Sequence, residues 1–359
     1  MGNNILYFKK YKFLVITAFF IFYSCENNQI IENNDINNSS FESWLIDDDF
    51  IQWGCSGQDC IPNLDSPISV DKNNENLNYL DDNDLVVGVK VNDSYIAYPH
   101  SILNWHEVIN EQDYTISYCP LTGSALNINS NYGFGVSGML YNSNLIMYDK
   151  STNSYWPQMF LKSAFGEEKG TKIPMNPLLE TTWKTWKLLF PETKAISSNT
   201  GYSRDYNSYP YGDYKNNQEI FFPMELYDYR LPAKERVLGI LLGDKAKAFV
   251  ISQMGDIYIN NLIINGDSLV IFGSKLNNFA IAYKTELIFN IDKNNVENGE
   301  LLFIDTFSDS KWNILGEAIS GEMTGTILEP IKSYISYWFA WVAFNPQTEI
   351  YNIESFCES

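Results

Sequence analysis

Apolar and polar positions follow the same rhythm in two distant parts of the chain. "VVGVKVNDSYIAY", from Val86, alternates on either side of Asn92-Asp93 and predicts two short strands joined by a tight turn. "VLGILLGDKAKAF", from Val237, matches it at a constant offset of 151, pairing Gly88 with Gly239, Ala97 with Ala248 and Tyr98 with Phe249. Further on, Asp149, Ser154 and Trp156 pair with Asp305, Ser310 and Trp312 at offset 156. Gly166, Gly170, Trp183, Trp186, Pro191 and Thr193 then pair with Gly321, Gly325, Trp338, Trp341, Pro346 and Thr348 at offset 155. Offsets this steady across two tryptophans predict an internal duplication.

Each unit reads the same way. In the first, "HSILNWHEVIN" places Ile102, Trp105 and Ile109 at helical spacing, and "YTISYCPL" and "NLIMYDK" read as strands. Both units close on a short helix, "TTWKTWKLLFPET" and "SYWFAWVAFNPQT", which the Pro-x-Thr that follows brings to an end. The tryptophans three apart in these helices share a face and are expected in the core. The prediction is a strand-rich α+β fold of two duplicated units in a pseudo-twofold arrangement. The first unit spans 41–199 and the second, degenerate one 233–359. Between them, residues 200–232 carry seven tyrosines from Tyr202 to Tyr229 and are expected to pack as a strap across both units. Its tips, with Arg204 and Asp205, and Tyr141 of the first unit, are candidates to line a cleft.

The first 40 residues follow different rules. Lys9, Lys10 and Lys12 precede the apolar run Phe13–Ser24, which is too short to span a bilayer needing roughly 20 residues. It matches an export signal over 1–24, and the Ser24-Cys25 junction resembles the cleavage and lipidation site of a bacterial lipoprotein. Residues 25–40, rich in asparagine, read as a disordered tether. The expectation is a protein exported to the bacterial envelope, on its periplasmic or cell-surface face, and held at the membrane by a lipid on Cys25.

Charge narrows the partners. The chain of 359 residues has a formal charge of −20, and loss of Lys9, Lys10 and Lys12 with the signal takes it to −23. Such a surface repels phosphate backbones, so nucleic acid is excluded as a partner; a small-molecule or protein partner is not specified by the sequence. Export also changes how the five cysteines are read. "GCSGQDC" is compatible with a local Cys55–Cys60 disulfide in an oxidising compartment, Cys357 sits at the C-terminus, and Cys119 stands apart.

Candidate chemistry concentrates in "NWHEVINEQDYTISYCPLTGSA", which holds His106, one of two histidines, and Cys119. The second unit reads "QMGDIYIN" and "IFGSKLNN" in the corresponding places and lacks both residues, which favours function over folding as their reason for being there. A thiolate and an imidazole suit copper or zinc, with Met139, Met147 or Glu107 as a third ligand. Alternatively, Cys119 is a catalytic nucleophile with His106 as its base, oriented by Asn104 or Asp149. The third reading has no reaction: Cys119 is a buried apolar residue, His106 a hydrogen-bonded core side chain, and the protein a surface interaction module. A binding protein, holding a soft metal ion at His106 and Cys119, is the leading expectation. His100, six residues before His106, is expected to point elsewhere on the helix. "GFGVSG" matches a dinucleotide-binding glycine pattern in form only, because a strand rather than a helix follows it.

"YLDDNDLVVGVKVNDSYIAYPHSILNWHEVIN", "YCPLTGSA", "GVSGMLYNSNLIMYDKSTNSYW" and "TGYSRDYNSYPYGDY" resemble the bacterial and archaeal family known as domain of unknown function 3179. The resemblance runs from about Asp47 to Tyr351 and implies no activity. Many members read Cys-Pro-Leu-Cys-Gly where this chain has Cys119-Pro120-Leu121-Thr122-Gly123, so Thr122 removes a second thiol.

Overall fold

The computed structural model describes residues 43–292 and 301–351. The signal, the tether, Cys25 and Cys357 lie outside the described residues. The fold is strand-rich α+β, with six sheets and three α-helices among the described residues: α1 (His100–His106), α2 (Trp183–Leu189) and α3 (Trp338–Phe344). None of these helices is long and apolar enough to cross a membrane.

The alternating segments form hairpins. Leu85–Val91 pairs antiparallel with Ser94–Pro99, and Asn92 takes the left-handed conformation in the turn at φ 54°. Arg236–Leu242 pairs with Lys245–Val250 in the same way. Each hairpin is then completed identically. Leu179–Thr182 adds to one side antiparallel and Lys194–Ile196 to the other in parallel. In the later half Ser333–Tyr337 and Glu349–Tyr351 take these two places.

The tryptophans explain why the helices close where they do. A Cβ on Gly88 would lie 2.2 Å from the Trp186 ring, and one on Gly239 2.1 Å from the Trp341 ring, so the indoles of α2 and α3 press directly on bare backbone. Each indole N–H donates to the threonine seven residues on, Trp186 to Thr193 and Trp341 to Thr348, both at 2.8 Å. That bond satisfies a polar group that burial would otherwise leave unpaired. A second motif also occurs twice: Trp156 donates to Asp149 at 2.9 Å and Trp312 to Asp305 at 2.8 Å.

The apolar core is shared between the halves. One cluster joins Val87, Tyr98, Ile102 and Trp186 to Phe272, Phe303 and Trp312. Another joins Val108, Cys119, Leu126 and Met147 to Val237, Trp338 and Trp341. The segment 200–232 carries little regular structure and packs on both halves. Tyr214 donates to the Leu121 carbonyl at 2.9 Å, while Arg230 donates to the Thr348 carbonyl at 3.0 Å and lies over the Trp338 ring.

One element is shorter than its apolar spacing suggests. α1 stops at His106 because Glu107 adopts φ 56°, and Val108–Asn110 is a strand paired with Thr115–Cys119. Ile109 is therefore a strand residue, and its helical spacing from Trp105 is a coincidence of a helix running into a strand. We expect Gly88→Ala and Gly239→Ala each to destabilise the fold by about 1–3 kcal/mol or more, because the added methyl overpacks an indole that has nowhere to go. Urea denaturation of the two variants measures this, and both should lose stability to a similar degree.

Candidate ligand site

His106 and Cys119 are both buried, but in separate surroundings. At the end of α1, His106 places Nδ1 2.8 Å from the Pro62 carbonyl and Nε2 2.8 Å from the Tyr206 hydroxyl. A carbonyl can only accept, so Nδ1 carries the proton and Nε2 accepts from Tyr206. Burial holds the ring's pKa below its ordinary value, in keeping with this neutral form. Both nitrogens are thus committed, and a metal or a substrate would have to displace one of these bonds.

Cys119 ends its strand beneath a two-residue turn, where Asn142 and Ser143 take φ 50° and 61°. Its sulfur accepts from the Leu145 N–H at 3.4 Å and lies 3.7 Å from the Ser143 carbonyl, to which the thiol donates. Burial, reinforced by the nearby Glu107 carboxyl, pushes the thiol up to about 11. A thiol this far from ionisation at neutral pH is a poor nucleophile.

The remaining candidates do not gather around either residue. Met139 is buried in a different cluster from Cys119, beside Ile46 and Tyr141, whereas Met147 shares the Cys119 cluster. The Tyr141 hydroxyl donates to Glu225 at 2.6 Å. Asp149 is occupied by the Trp156 indole and by Thr152. Arg204 and Asp205 are exposed on the strap, with Arg204 over the Trp105 ring. Cys55 and Cys60 are joined by a disulfide, with Cα atoms 6.1 Å apart. Among the described residues, the only three His, Cys, Asp or Glu side chains with ligand atoms in mutual reach are the exposed Asp47, Asp48 and Asp49.

A different set of residues does converge. A cavity of about 500 Å³ opens at the seam between the halves, lined by His100, Ser101, Asn104 and Tyr118 of the first, Tyr206 and Tyr209 of the strap, and Lys234, Arg236 and Tyr337 of the second. Tyr141, Arg204 and Asp205 do not line it. Pro99 turns the chain from strand into α1 and sets His100 at the first helical position, where its ring packs on Tyr118 at 4.3 Å. Behind these residues stands Glu180, 1% exposed, paired through one oxygen to Arg236. Its other oxygen lies 3.3 Å from His100 Nε2, too poorly aligned for a hydrogen bond.

Electrostatics set Glu180 and Glu107 apart. Burial alone would raise both. At Glu180 the Arg236 guanidinium and His100 overcome burial and hold the carboxyl at about 2. Glu107 has no cation, only the Tyr211 hydroxyl at 2.7 Å, and burial raises it to about 7. On the cavity wall the buried Ser101 Oγ has no hydrogen-bond partner in the protein, while His100 Nε2 faces only Glu180 Oε2, 3.3 Å away. Buried polar atoms are nearly always satisfied, so an unpaired hydroxyl on a polar cavity marks it as a place where something else binds.

A strand-rich body with a polar cavity at its seam is what the fold and site define. The chain belongs to the family described as "Protein of unknown function (DUF3179)", whose model matches residues 58–348. No curated protein and no solved structure matches the chain.

The two glutamates give opposite pH signatures. Glu107 titrates higher folded than unfolded, so its proton is favourable below about pH 4.5, and stability falls as pH rises through about 7. Glu107→Gln should therefore be close to neutral at pH 5 and stabilising by up to about 3 kcal/mol at pH 8. Glu180 titrates lower folded than unfolded, so it stabilises above about pH 4.5 and its contribution fades as pH falls toward about 2. Arg236→Met leaves this carboxylate buried without its cation and should cost about 3–5 kcal/mol at neutral pH. Urea denaturation across this pH range measures both effects.

Proposed function

We propose that the protein is a binding protein of the bacterial envelope that takes a small polar ligand in the seam cavity. The observation that carries this reading is a polar cavity whose wall holds the buried, unpaired Ser101 hydroxyl beside His100 and the buried Lys234. The volume, about 500 Å³, lies in the range of small-molecule sites. Three tyrosine side chains, Tyr118, Tyr209 and Tyr337, add hydroxyl groups to the same wall. Binding rather than reaction is favoured because the buried thiol is held far from ionisation and His106 has both nitrogens engaged. For the same reason a copper or zinc ion at His106 and Cys119 has no donor geometry to support it.

Two further parts of this reading rest on sequence and topology. The basic, apolar and Ser24-Cys25 segments support export and a lipid on Cys25. Sheets of matching strand order, with Gly88–Trp186 repeated as Gly239–Trp341, support origin by duplication, with two like units meeting at the cavity. The ligand site is then unique to the seam. At the offsets given above, His100, Glu180 and Arg236 correspond to Ile251, Ile335 and Leu85 in the opposite copy.

Native mass spectrometry tests the binding reading. The full-length protein in detergent is incubated with separate sets of sugars, hydroxy acids and amino acids. At least one compound should leave a stoichiometric adduct that Ser101→Trp, which fills the cavity, abolishes. Adducts from none of them, or equal adducts in the variant, would overturn it. The anchor is tested separately by metabolic labelling with palmitate, which should mark the wild type and leave Cys25→Ala unlabelled.

A further inference from the structure

Lys234 stands out among the cavity residues. It is 7% exposed, and lysine is almost never buried this deeply without an anion. Its Nζ contacts the Tyr214 carbonyl and lies 3.3 Å from Asn217 Oδ1 and 3.2 Å from the centre of the Tyr214 ring. No carboxylate of the described residues is in ion-pair contact with it; Asp213 and Glu219 act on it only through space. An ammonium has three donor hydrogens, and two of them are taken by these oxygens. Burial holds it down at about 8, the behaviour of a cation that lacks a counter-charge.

Two further cations line the cavity, the exposed Lys215 over the Tyr209 ring and the partly buried Arg236. Arg236 is spent on Glu180, so Lys234 is the buried charge left to meet a ligand. Asp81 and Asp84, at the cavity's margin, oppose a ligand of high negative charge. The rest of the wall offers the hydroxyls of Ser101, Tyr118, Tyr209 and Tyr337. These are donors and acceptors suited to a ligand's own hydroxyl groups.

Resting on the cavity reading above, we propose that the ligand is a small hydroxylated monocarboxylate, its carboxylate paired with Lys234 and its hydroxyls facing Ser101 and the tyrosines. The charge fits one carboxylate, and the volume admits a chain of three to six carbons of roughly this class. Pairing would supply the anion that the ammonium lacks, which makes the charge of the ligand, rather than its shape alone, the source of affinity.

Isothermal titration of the full-length protein in detergent tests this with glycerate and gluconate, their neutral amides, glucose and inorganic phosphate. At least one of the two acids should bind, with its amide at least tenfold weaker. Lys234→Met should lower the affinity for that acid at least tenfold and the amide's by a few-fold at most, while Lys234→Arg should hold the acid's within a few-fold. If the amide binds as tightly as the acid, or phosphate competes equally, the carboxylate assignment is overturned while the cavity reading stands. If neither acid binds but glucose or an amide does, the assignment falls in the same way. If nothing in the set binds and Ser101→Trp changes no adduct in the mass spectrometric experiment, the cavity reading falls with it. Should Lys234→Met fail to fold, the acid-to-amide comparison on the wild type decides the question alone.

Discussion

The two largest apolar clusters each draw side chains from both halves of the chain, and the rest of the structure depends on that. Trp186 and Tyr98 are in one cluster with Phe272, Phe303 and Trp312, and Trp338 and Trp341 are in another with Val108, Cys119 and Met147. Burial of apolar area is the dominant favourable contribution to folding, so each half gains stability from the other. The seam is consequently fixed by close packing rather than by a hinge. It is also stitched by backbone, the Tyr337 N–H donating to the Thr122 carbonyl at 2.8 Å. A cavity built across such a seam is held as rigidly as the core on which it rests.

Within that frame, polar groups could be placed where isolated halves could not have kept them. Glu180 is tolerable at 1% exposure because Arg236 arrives from the other half. Glu107 received no such partner and is raised instead, even though the two carboxyls are equally removed from water. The contrast shows how little burial by itself predicts a carboxyl's state, and how completely the neighbouring charge decides it.

Much of the fold was legible because it is written locally. Alternation around Asn92-Asp93 and the paired glycines and tryptophans are properties of short segments, and the structure forms hairpins and closing helices at those places. The end of α1 was not legible, since a left-handed Glu107 is imposed by the strand that follows it. The site was harder still. His100, Glu180 and Arg236 are separated by 80 and 56 residues and belong to no motif, so only tertiary packing reveals them. His106 and Cys119 drew notice by their rarity and by their absence from the later half. The structure supplies a plainer account: His106 is a buried side chain bonded to Tyr206 and to the Pro62 carbonyl.

The shared core also has a temporal side. A chain made from its N-terminus offers Val108, Leu126 and Met147 long before Trp338, Trp341 and Val342 exist to cover them. Contacts across 191 residues or more, the span from Met147 to Trp338, are slow to form, because the intervening loop must close before any of them is rewarded. Until the last helix emerges, the earlier half is an unfinished surface of apolar strands, open to association with its own kind. The final twenty or so residues of the body therefore act as the closing step of folding for the whole molecule, and truncations there should cost far more than their length suggests.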